Sequence, residues 1–281
     1  MLPVRSPDRG RRTLRAMSIA QHRTPGEPCA PGEAAPVSVI DKLVAVLEAL
    51  STSSGRMGIS ELARESGVAK STVHRLCTDL AESGIVDRVG DGWCLGPKLF
   101  ELGQRVPARR RLRDITLPYL EDLYIATKHT VHLAALEGDD VLYVEKLAGR
   151  DAVVTPSEVA GRMPLHCTAT GKCLLAYAAP EVLERVLSHG LWPLTPNTIC
   201  SPAVLLEQLE VVRARGVAVE HDEYADGFSS IAAPIFGMLA TTLGAIAVTS
   251  ASGHFNETML VPLVTTAAAK ATARFGGHRP V

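Results

Sequence analysis

The sequence predicts an α+β protein in which a small winged helix-turn-helix domain precedes a larger domain of mixed helices and strands. The chain has 281 residues, more than the roughly 100–150 that one domain commonly contains. Residues 37–96 show three short helical patterns followed by a hairpin pattern, and residues 114–276 mix strand and helix patterns. Because 46% of the residues are hydrophobic and 21% are charged, the chain has enough apolar surface to fold as a globular protein.

Charge is distributed unevenly along the chain, although the formal net charge is only −1. Residues 1–36 contain six arginines against three acidic residues, and residues 37–113 contain twelve lysines and arginines against nine acids. Residues 114–281 reverse the balance, with eleven basic residues against eighteen acids. This asymmetry is expected when one end of a protein meets a polyanion, and nucleic acid is the first candidate.

Residues 1–36 are predicted to form a disordered basic arm. The segment is rich in Arg, Pro and Gly and shows no apolar periodicity. Its arginine cluster, RGRRTLR, is able to bind phosphates loosely. Two alternatives stay open: the segment is only a solvated tail, or the protein begins at Met17.

Two helices are predicted at the start of the folded part of the chain. The first lies in VSVIDKLVAVLEAL, whose apolar residues repeat at helical spacing: Val39, Leu43, Val46, Leu47 and Leu50. The second is ISELARESG, in which Ser60 is expected to cap the first turn. Gly67 is expected to end this helix in the left-handed conformation.

A third helix and a hairpin complete the pattern of a winged helix. The stretch VAKSTVHRLC begins a helix whose apolar face contains Val73, Leu76, Cys77 and Leu80. The following stretch, IVDRVGDGWCLG, has strand-forming residues on both sides of Gly90, Asp91 and Gly92. We therefore predict a winged helix-turn-helix domain over residues 37–96.

The outer face of the third helix is the predicted DNA-binding surface. Its residues are Lys70, Ser71, Thr72, His74, Arg75 and Thr78. Such a helix suits the major groove, where Arg75 is the best candidate for a bidentate contact to guanine. Lys70 and Ser71 suit phosphate, and Arg88 in the hairpin is placed to reach the DNA backbone. The alternative is an ordinary solvated helix face, with His74 a neutral exposed imidazole.

A connector helix and a mixed domain follow the winged helix. Residues 97–113, which include the run RRRLR, are predicted to form a linker helix, and a longer amphipathic helix follows it. Two alternating strands, TVHLAAL and VLYVEKL, flank the turn EGDD, and the later chain combines further helices with a strand in VAVEHDE. The second domain is predicted to span residues 114–276, with residues 277–281 as a tail.

One uncharged stretch, from Gly227 to Gly253, is long enough to raise the question of a membrane span. Pro234, Gly237 and Gly244 divide it into two strand-length pieces, SIAAPIF and GAIAVTS, so we predict a buried hairpin. The six cysteines form no C-x-x-C pair, and the chain opens with no signal-peptide pattern. A cytoplasmic protein with reduced thiols and no membrane partner is therefore expected.

Motifs of common catalytic and metal sites are incomplete. GFSSI has Ile231 where a nucleophile elbow needs glycine, and TGKC has Cys173 where a phosphate-binding loop needs a hydroxyl. The residues able to bind a metal match no common zinc spacing: His166, Cys167, Cys173, His221, Asp222 and Glu223. We therefore predict no catalytic residues, no metal and no cofactor. The alternatives are an enzyme or metal-dependent sensor fused to a DNA-binding arm, and a winged helix that binds protein.

Four motifs in order resemble those of one bacterial family. They are GISELARESGVAKSTVHRLCTDLAESGIV, the helix leading into TVHLAAL, MPLHCTATGKCLLA, and RGVAVEHDEYADGFSSIAAPIF. The chain is similar over about residues 37–275 to the IclR family of transcription regulators. The resemblance implies a DNA-binding domain, a linker helix used in dimerisation, and a GAF-like C-terminal domain that binds a small effector. It implies a homodimer or tetramer on a palindromic operator.

The resemblance also implies where an effector binds. The pocket residues carried over by position are Ala169, Thr170, Glu220, Ser230, Ala247 and Thr249. The turn TATGK precedes a helix, where backbone N–H groups are able to meet an anion. Each residue also has an ordinary interpretation: Thr170 as a helix cap, Ser230 and Thr249 as plain strand residues, and Glu220 as a solvated acid.

Three positions depart from the family pattern. Ser230 stands where many members have Cys, Glu220-His221 where many have paired Asp, and Ala247 where a hydroxyl is common. The loss of a hydrogen-bonding hydroxyl from a buried site costs on the order of 1–3 kcal/mol for a ligand that used it. We therefore expect an effector that is less polar than small keto acids, or differently shaped.

Overall fold

The computed structural model describes residues 38–52, 55–149 and 155–280. It divides the chain into an N-terminal unit that ends at Arg105 and a C-terminal unit that begins at Val106. The arm predicted over residues 1–36 lies outside the described residues. No helix in the described ranges is long and apolar enough to cross a membrane.

The N-terminal unit is a winged helix-turn-helix, as predicted. In chain order its elements are α1 (Val39–Ser51), β1 (Met57–Gly58), α2 (Ile59–Ser66), α3 (Lys70–Glu82), β2 (Val86–Val89), β3 (Gly92–Leu95) and α4 (Pro97–Gly103). The strands form an antiparallel sheet in the order β1-β3-β2. The core contains the predicted apolar residues of α1 and α3 except Val39, which is 62% exposed because it lies at the start of α1. Val46, Leu62 and Val73 have no solvent-exposed surface.

The ends of the helices follow local capping rules, with one difference from the prediction. Ser38 and Asp41 form a reciprocal capping box at the start of α1. Ser60 does not cap α2, so that prediction is wrong: the helix begins at Ile59, and its N-cap is Gly58, which already pairs with β3. Gly67 ends α2 with φ of +66°, in the left-handed region, as predicted.

The connector consists of two helices rather than the single helix predicted over residues 97–113. The helix α4 ends at Gly103, and α5 (Pro107–Thr127) begins four residues later. Pro107 occupies the first position of α5, where its missing N–H costs nothing, and it restricts Val106 to extended backbone. The arginine run RRRLR therefore belongs to the first turns of α5, in the C-terminal unit.

The C-terminal unit contains a six-stranded antiparallel sheet. After α5 its elements are β4 (Thr130–Glu137), β5 (Asp140–Leu147), β6 (Arg162–Pro164), α6 (Ala169–Leu175), α7 (Pro180–His189), α8 (Pro202–Arg215), β7 (Ala218–His221), β8 (Phe228–Phe236), β9 (Thr242–Ala251) and α9 (Glu257–Arg274). The strand order is β6-β5-β4-β9-β8-β7. The pairing of β8 with β9 confirms the predicted buried hairpin. Helix α7 was not predicted from the sequence.

Alternation along the strands divides the core of this unit between the two faces of the sheet. On β8 and β9 the larger residues Ile231 and Ile246 pack with α5 and α9, whereas Ala232 and Ala247 pack with α6 and α8. Because the second face is lined by small alanines, it leaves room between the sheet and α6. The candidate effector site lies on this face.

Candidate functional site

One pocket of the C-terminal unit gathers side chains from most of its sheet. It has a volume of about 430 Å³, part of which is open to solvent. Strands β4, β5, β6, β7, β8 and β9, the first turn of α6, residues 155–157 and the loop after β7 all contribute to its wall. The lining residues are His132, Tyr143, Thr155, Pro156, Ser157, Met163, Thr168, Ala169, Thr170, Glu220, Tyr224, Ala225, Phe228, Ser230, Ala247 and Thr249.

The six predicted effector residues all line this pocket, although they are up to 80 positions apart in the chain. Sequence reasoning missed His132, Tyr143 and Tyr224, together with residues 155–157. His132 and Tyr143 alternate within ordinary strand patterns, so the sequence carried no signal that separated them from other core residues. The pairing of β4 with β9 places His132 opposite Ala247, which brings its ring to the pocket.

A chain of hydrogen bonds runs along one wall of the pocket. The Oγ atoms of Ser230 and Thr249 are 2.9 Å apart, and Thr249 Oγ1 lies 3.5 Å from His132 Nδ1. On the other side of the ring, His132 Nε2 is 2.6 Å from Ser157 Oγ, which also bonds Thr155. Ser230 and Thr249, which are paired across β8 and β9, both belong to this network.

His132 is an uncharged member of that network. Burial lowers the pKa of its imidazole to about 3, with a smaller contribution from the charge of Lys146. The ring therefore carries one proton at neutral pH, and its two nitrogens act as one donor and one acceptor. Hydroxyl neighbours suit both roles, since each hydroxyl both donates and accepts.

The first turn of α6 is held by two threonines with different roles. Thr168 is the N-cap, and its Oγ1 accepts a hydrogen bond of 3.0 Å from the backbone N–H of Gly171. The interpretation of Thr170 as the cap is therefore wrong. Thr170 Oγ1 lies 3.2 Å from the hydroxyl of Tyr143 inside the pocket wall.

Glu220 is buried rather than solvated, which corrects the ordinary interpretation of this acid. Only 3% of the residue is exposed. Its Oε1 accepts hydrogen bonds from the backbone N–H groups of Glu223 and Tyr224, at 2.8 and 3.4 Å. Burial raises the pKa of the Glu220 carboxyl to about 7, and the backbone hydrogen bonds and Lys172 only partly offset that effect.

A buried ion pair between Lys172 and Glu223 lies behind the residues that line the pocket. Lys172 Nζ lies 2.5 Å from Glu223 Oε1 and 2.7 Å from Gln208 Oε1, so α6, the loop after β7 and α8 meet at this charge. Lys172 has no solvent-exposed surface. Burial raises the pKa of Glu223, and the neighbouring lysine opposes that shift. A buried charge is retained only with such partners.

The outer face of α3 presents the predicted DNA-binding residues to solvent. Lys70, Ser71, His74, Arg75 and Thr78 are exposed, and Thr72 is half-buried. Neither Lys70 nor Arg75 has an ion-pair partner in the part of the chain that the structure describes. Thr78 donates to the His74 carbonyl oxygen at 2.9 Å. On the wing, the Arg88 guanidinium lies over the Trp93 ring.

Comparison with known families identifies both units. Residues 39–90 match the family model for the IclR helix-turn-helix domain, and residues 104–274 match that for the C-terminal part of the bacterial transcriptional regulator IclR. The chain belongs to the IclR family. This IclR-family protein is therefore a transcriptional regulator with a helix-turn-helix DNA-binding domain and an effector-binding C-terminal domain.

Individual relatives agree with the family assignment. The chain is 32% identical over 227 residues to the HTH-type transcriptional regulator BhcR of Paracoccus denitrificans, covering 80% of this chain and 81% of BhcR. It is 29% identical to the transcriptional repressor IclR of Escherichia coli, covering 83% and 88% of the two chains. A solved IclR homolog from Microbacterium hydrocarbonoxydans, complexed with 4-hydroxybenzoate, has 29% identity and a TM-score of 0.79, covering 85% of this chain and 99% of that one.

The alternative functions were an enzyme and a metal-dependent sensor, and both were suggested by residues near His166. The relatives are named as transcriptional regulators and repressors. His166 Nε2 lies 3.2 Å from the Trp192 carbonyl oxygen, outside the pocket lining. Burial raises the pKa of the Cys167 and Cys173 thiols. Among the described residues, no group of His, Cys, Asp and Glu is arranged to hold a metal ion.

Proposed function

We propose that the α3 face reads a specific operator sequence. Arg75 is exposed and unpaired among the described residues, so its guanidinium is available for a bidentate contact to guanine. Lys70 and Ser71, at the start of the helix, suit the phosphates that fix its position. Arg88 on the wing serves the DNA backbone. The observation that supports this proposal is the exposure of these residues on one face of α3.

We propose that the pocket is the effector site. Its support is that six residues carried over from the family by position meet around one space. Tyr143, Tyr224 and Phe228 supply aromatic surface, and the network around His132 supplies hydrogen-bonding groups. A small planar molecule suits this lining better than a short keto acid, and the 4-hydroxybenzoate of the Microbacterium homolog is a reasonable first probe.

The assembly that we propose is a homodimer or tetramer in the cytoplasm, on a palindromic operator. A two-fold symmetric protein reads two half-sites at a fixed separation. The effector shifts the population between states that differ in how the two winged helices are placed, by no more than its differential affinity for those states. The DNA-binding domain spans residues 37–96 and the effector domain residues 114–276 in this proposal, joined by the connector.

Selection from randomised duplex DNA tests the proposal directly. The purified full chain should enrich a two-fold symmetric site, and its affinity for that site should fall steeply with salt. Insertion of five base pairs between the half-sites places them on opposite faces of the helix and should abolish tight binding. Sedimentation of the bound and free protein should show two or four copies. Enrichment of asymmetric sites, or a monomer on DNA, would contradict it.

A further inference from the structure

The charge balance of the pocket depends on one side chain. Among the described residues that line the pocket, Glu220 is the only carboxylic acid, and none is Lys or Arg. His132 is uncharged at neutral pH because burial lowers its pKa to about 3. The other polar side chains of the lining are hydroxyls. The first turn of α6 adds backbone N–H groups, which carry no formal charge. An effector in this pocket therefore meets one acid and no cationic side chain of the lining.

Two lysines that contact the pocket lining or its supporting loop, Lys172 and Lys146, have hydrogen-bond partners of their own. Lys172 Nζ is held by Glu223 and Gln208, at 2.5 and 2.7 Å. Lys146 Nζ donates to the backbone oxygens of Ser157 and Thr155, at 2.5 and 3.4 Å. Because Lys172 is paired with Glu223, Glu220 has no ion-pair partner of its own among the described residues.

Of the two carboxylate oxygens of Glu220, only Oε1 has hydrogen-bond partners among the described residues. Oε1 accepts from the backbone N–H groups of Glu223 and Tyr224. Oε2 has no hydrogen-bond partner in the described part of the chain. The titratable groups that act on this carboxyl are Lys172, Glu223, Tyr143 and Cys167. Of these only Lys172 favours the ionised form, and burial dominates, so the pKa is raised to about 7.

We propose that Glu220 selects effectors by charge: the pocket takes an uncharged small molecule that donates a hydrogen bond to Glu220 Oε2, and it takes a carboxylate only together with one proton. The proposal depends on the pocket being the effector site. When a carboxylate binds, the proton comes from solvent and resides on Glu220 Oε2, which then donates to the ligand. Two carboxylates in one partly buried site repel each other, so the unprotonated combination is excluded.

A matched pair of probes tests this selection. We would measure binding of 4-hydroxybenzoate and its uncharged amide, 4-hydroxybenzamide, to the full chain by calorimetry at pH 6 and pH 8. At pH 8 the amide should bind more tightly than the acid. The acid should bind about ten-fold more weakly at pH 8 than at pH 6, since protonated Glu220 becomes about ten-fold scarcer. Buffers of different ionisation enthalpy should report uptake of nearly one proton per acid at pH 8.

Glu220→Gln should remove the charge selection without removing the fold, since the amide oxygen of Gln is able to accept the same backbone hydrogen bonds. Affinity of this variant for 4-hydroxybenzoate should be independent of pH and equal to or above that of the unmodified chain. Glu207→Gln, on the exposed surface of α8, is the matched control and should behave as the unmodified chain. Affinity for the acid that is equal at pH 6 and pH 8 in the unmodified chain would overturn the proposal.

A basic side chain outside the described residues could provide a counter-charge to a bound carboxylate, and a separate variant tests this. Arg150 is such a residue, and in the sequence it precedes the lining residue Thr155 by five positions. Under the proposal Arg150→Ala leaves the pH dependence of acid binding unchanged. Loss of acid binding in Arg150→Ala, with no effect of Glu220→Gln, would mean that an arginine supplies the counter-charge and would overturn the proposal.

A ligand-free measurement decides the case in which neither probe binds. In the full chain labelled with ¹³C at glutamate carboxyls, the resonance missing from Glu220→Gln identifies Glu220. Its titration near pH 7 supports the proposal, and titration near pH 4.5, as for an ordinary glutamate, overturns it. The affinity of the protein for its operator DNA is measured separately. If a probe binds with the predicted charge selection but leaves operator affinity unchanged, the pocket is not the effector site. The charge selection by Glu220 would still stand.

Discussion

Lys172 on α6 and Glu223 in the loop after β7 form an ion pair in which Nζ lies 2.5 Å from Oε1 and both residues are buried. The loop after β7 also carries Tyr224 and Ala225 of the pocket wall. The pair therefore fixes two parts of the pocket relative to each other: the first turn of α6, which presents Thr170, and the loop. We consider it the main structural support of the site.

Removal of one partner of this pair should be strongly destabilising. Glu223→Gln or Lys172→Met leaves a buried charge without its counter-charge, which typically costs about 3–5 kcal/mol of unfolding free energy. The double variant Lys172→Met/Glu223→Gln should recover much of that loss. Urea unfolding of the three variants measures the effect. Equal and additive losses in the double variant would show that the two charges do not interact.

Two basic residues of α3, Arg75 and Lys70, are predicted to contribute differently to DNA binding. Arg75→Ala should relax base preference at one position of each half-site, by about 1–3 kcal/mol. Lys70→Ala should weaken binding to all sequences and reduce the salt slope by about 1. Lys98→Ala, on α4 and ion-paired with Glu101, is the control and should change neither. Selection experiments and salt titrations distinguish the three. Unchanged preference in Arg75→Ala would exclude its role as the base-reading residue.

The helix-turn-helix could be predicted almost fully from the sequence because its signals are local. Apolar spacing placed α1 and α3, and Gly67 ended α2 as expected. The predicted cap at Ser60 failed because the pairing of Gly58 with β3, a contact between distant residues, decides where α2 begins. The break at Pro107 and the helix α7 were not predicted, although a proline stands at the first position of each helix, Pro107 in α5 and Pro180 in α7.

The pocket was predictable only in part, for a physical reason. Family resemblance supplied six of its residues by position, but no local pattern located His132 or indicated that Glu220 is buried. Both facts depend on strand register: β4 beside β9 brings His132 to Thr249, and β7 beside β8 sets Glu220 opposite Ser230. Register is a property of pairs of strands, so no single stretch of sequence encodes it.

Gly171 is packed so closely in the first turn of α6 that a larger residue there should destabilise the protein. A Cβ atom at this position would lie 2.4 Å from the Leu165 carbonyl oxygen and 2.5 Å from Thr168 Oγ1. Gly171→Ala should therefore displace the capping threonine and destabilise the C-terminal unit by about 1–3 kcal/mol. Gly253→Ala, where a Cβ meets nothing within 4 Å, is the matched control. Thermal unfolding at equal midpoints for both variants would contradict this prediction.

Two buried groups of the pocket should affect stability in opposite directions as pH changes. The folded pKa of His132, about 3, lies below its usual 6.5, so the unfolded chain binds the proton more readily and stability falls as pH drops below 6.5. The folded pKa of Glu220, about 7, lies above its usual 4.5, so the folded chain binds the proton more readily and stability falls as pH rises from 4.5 through 7. Between pH 4.5 and 6.5 the two contributions oppose each other.

Single replacements should reveal each contribution. Over the range from pH 6.5 to 5, the unfolding free energy of Glu220→Gln should fall by about 1.4 kcal/mol per pH unit relative to the unmodified chain, and that of His132→Gln should rise by a similar amount. Glu207→Gln should follow the unmodified chain. Urea unfolding at half-unit pH steps measures these slopes. Parallel profiles for Glu220→Gln and the unmodified chain would show that Glu220 titrates alike in the folded and unfolded states, and that the buried acid does not govern the pocket.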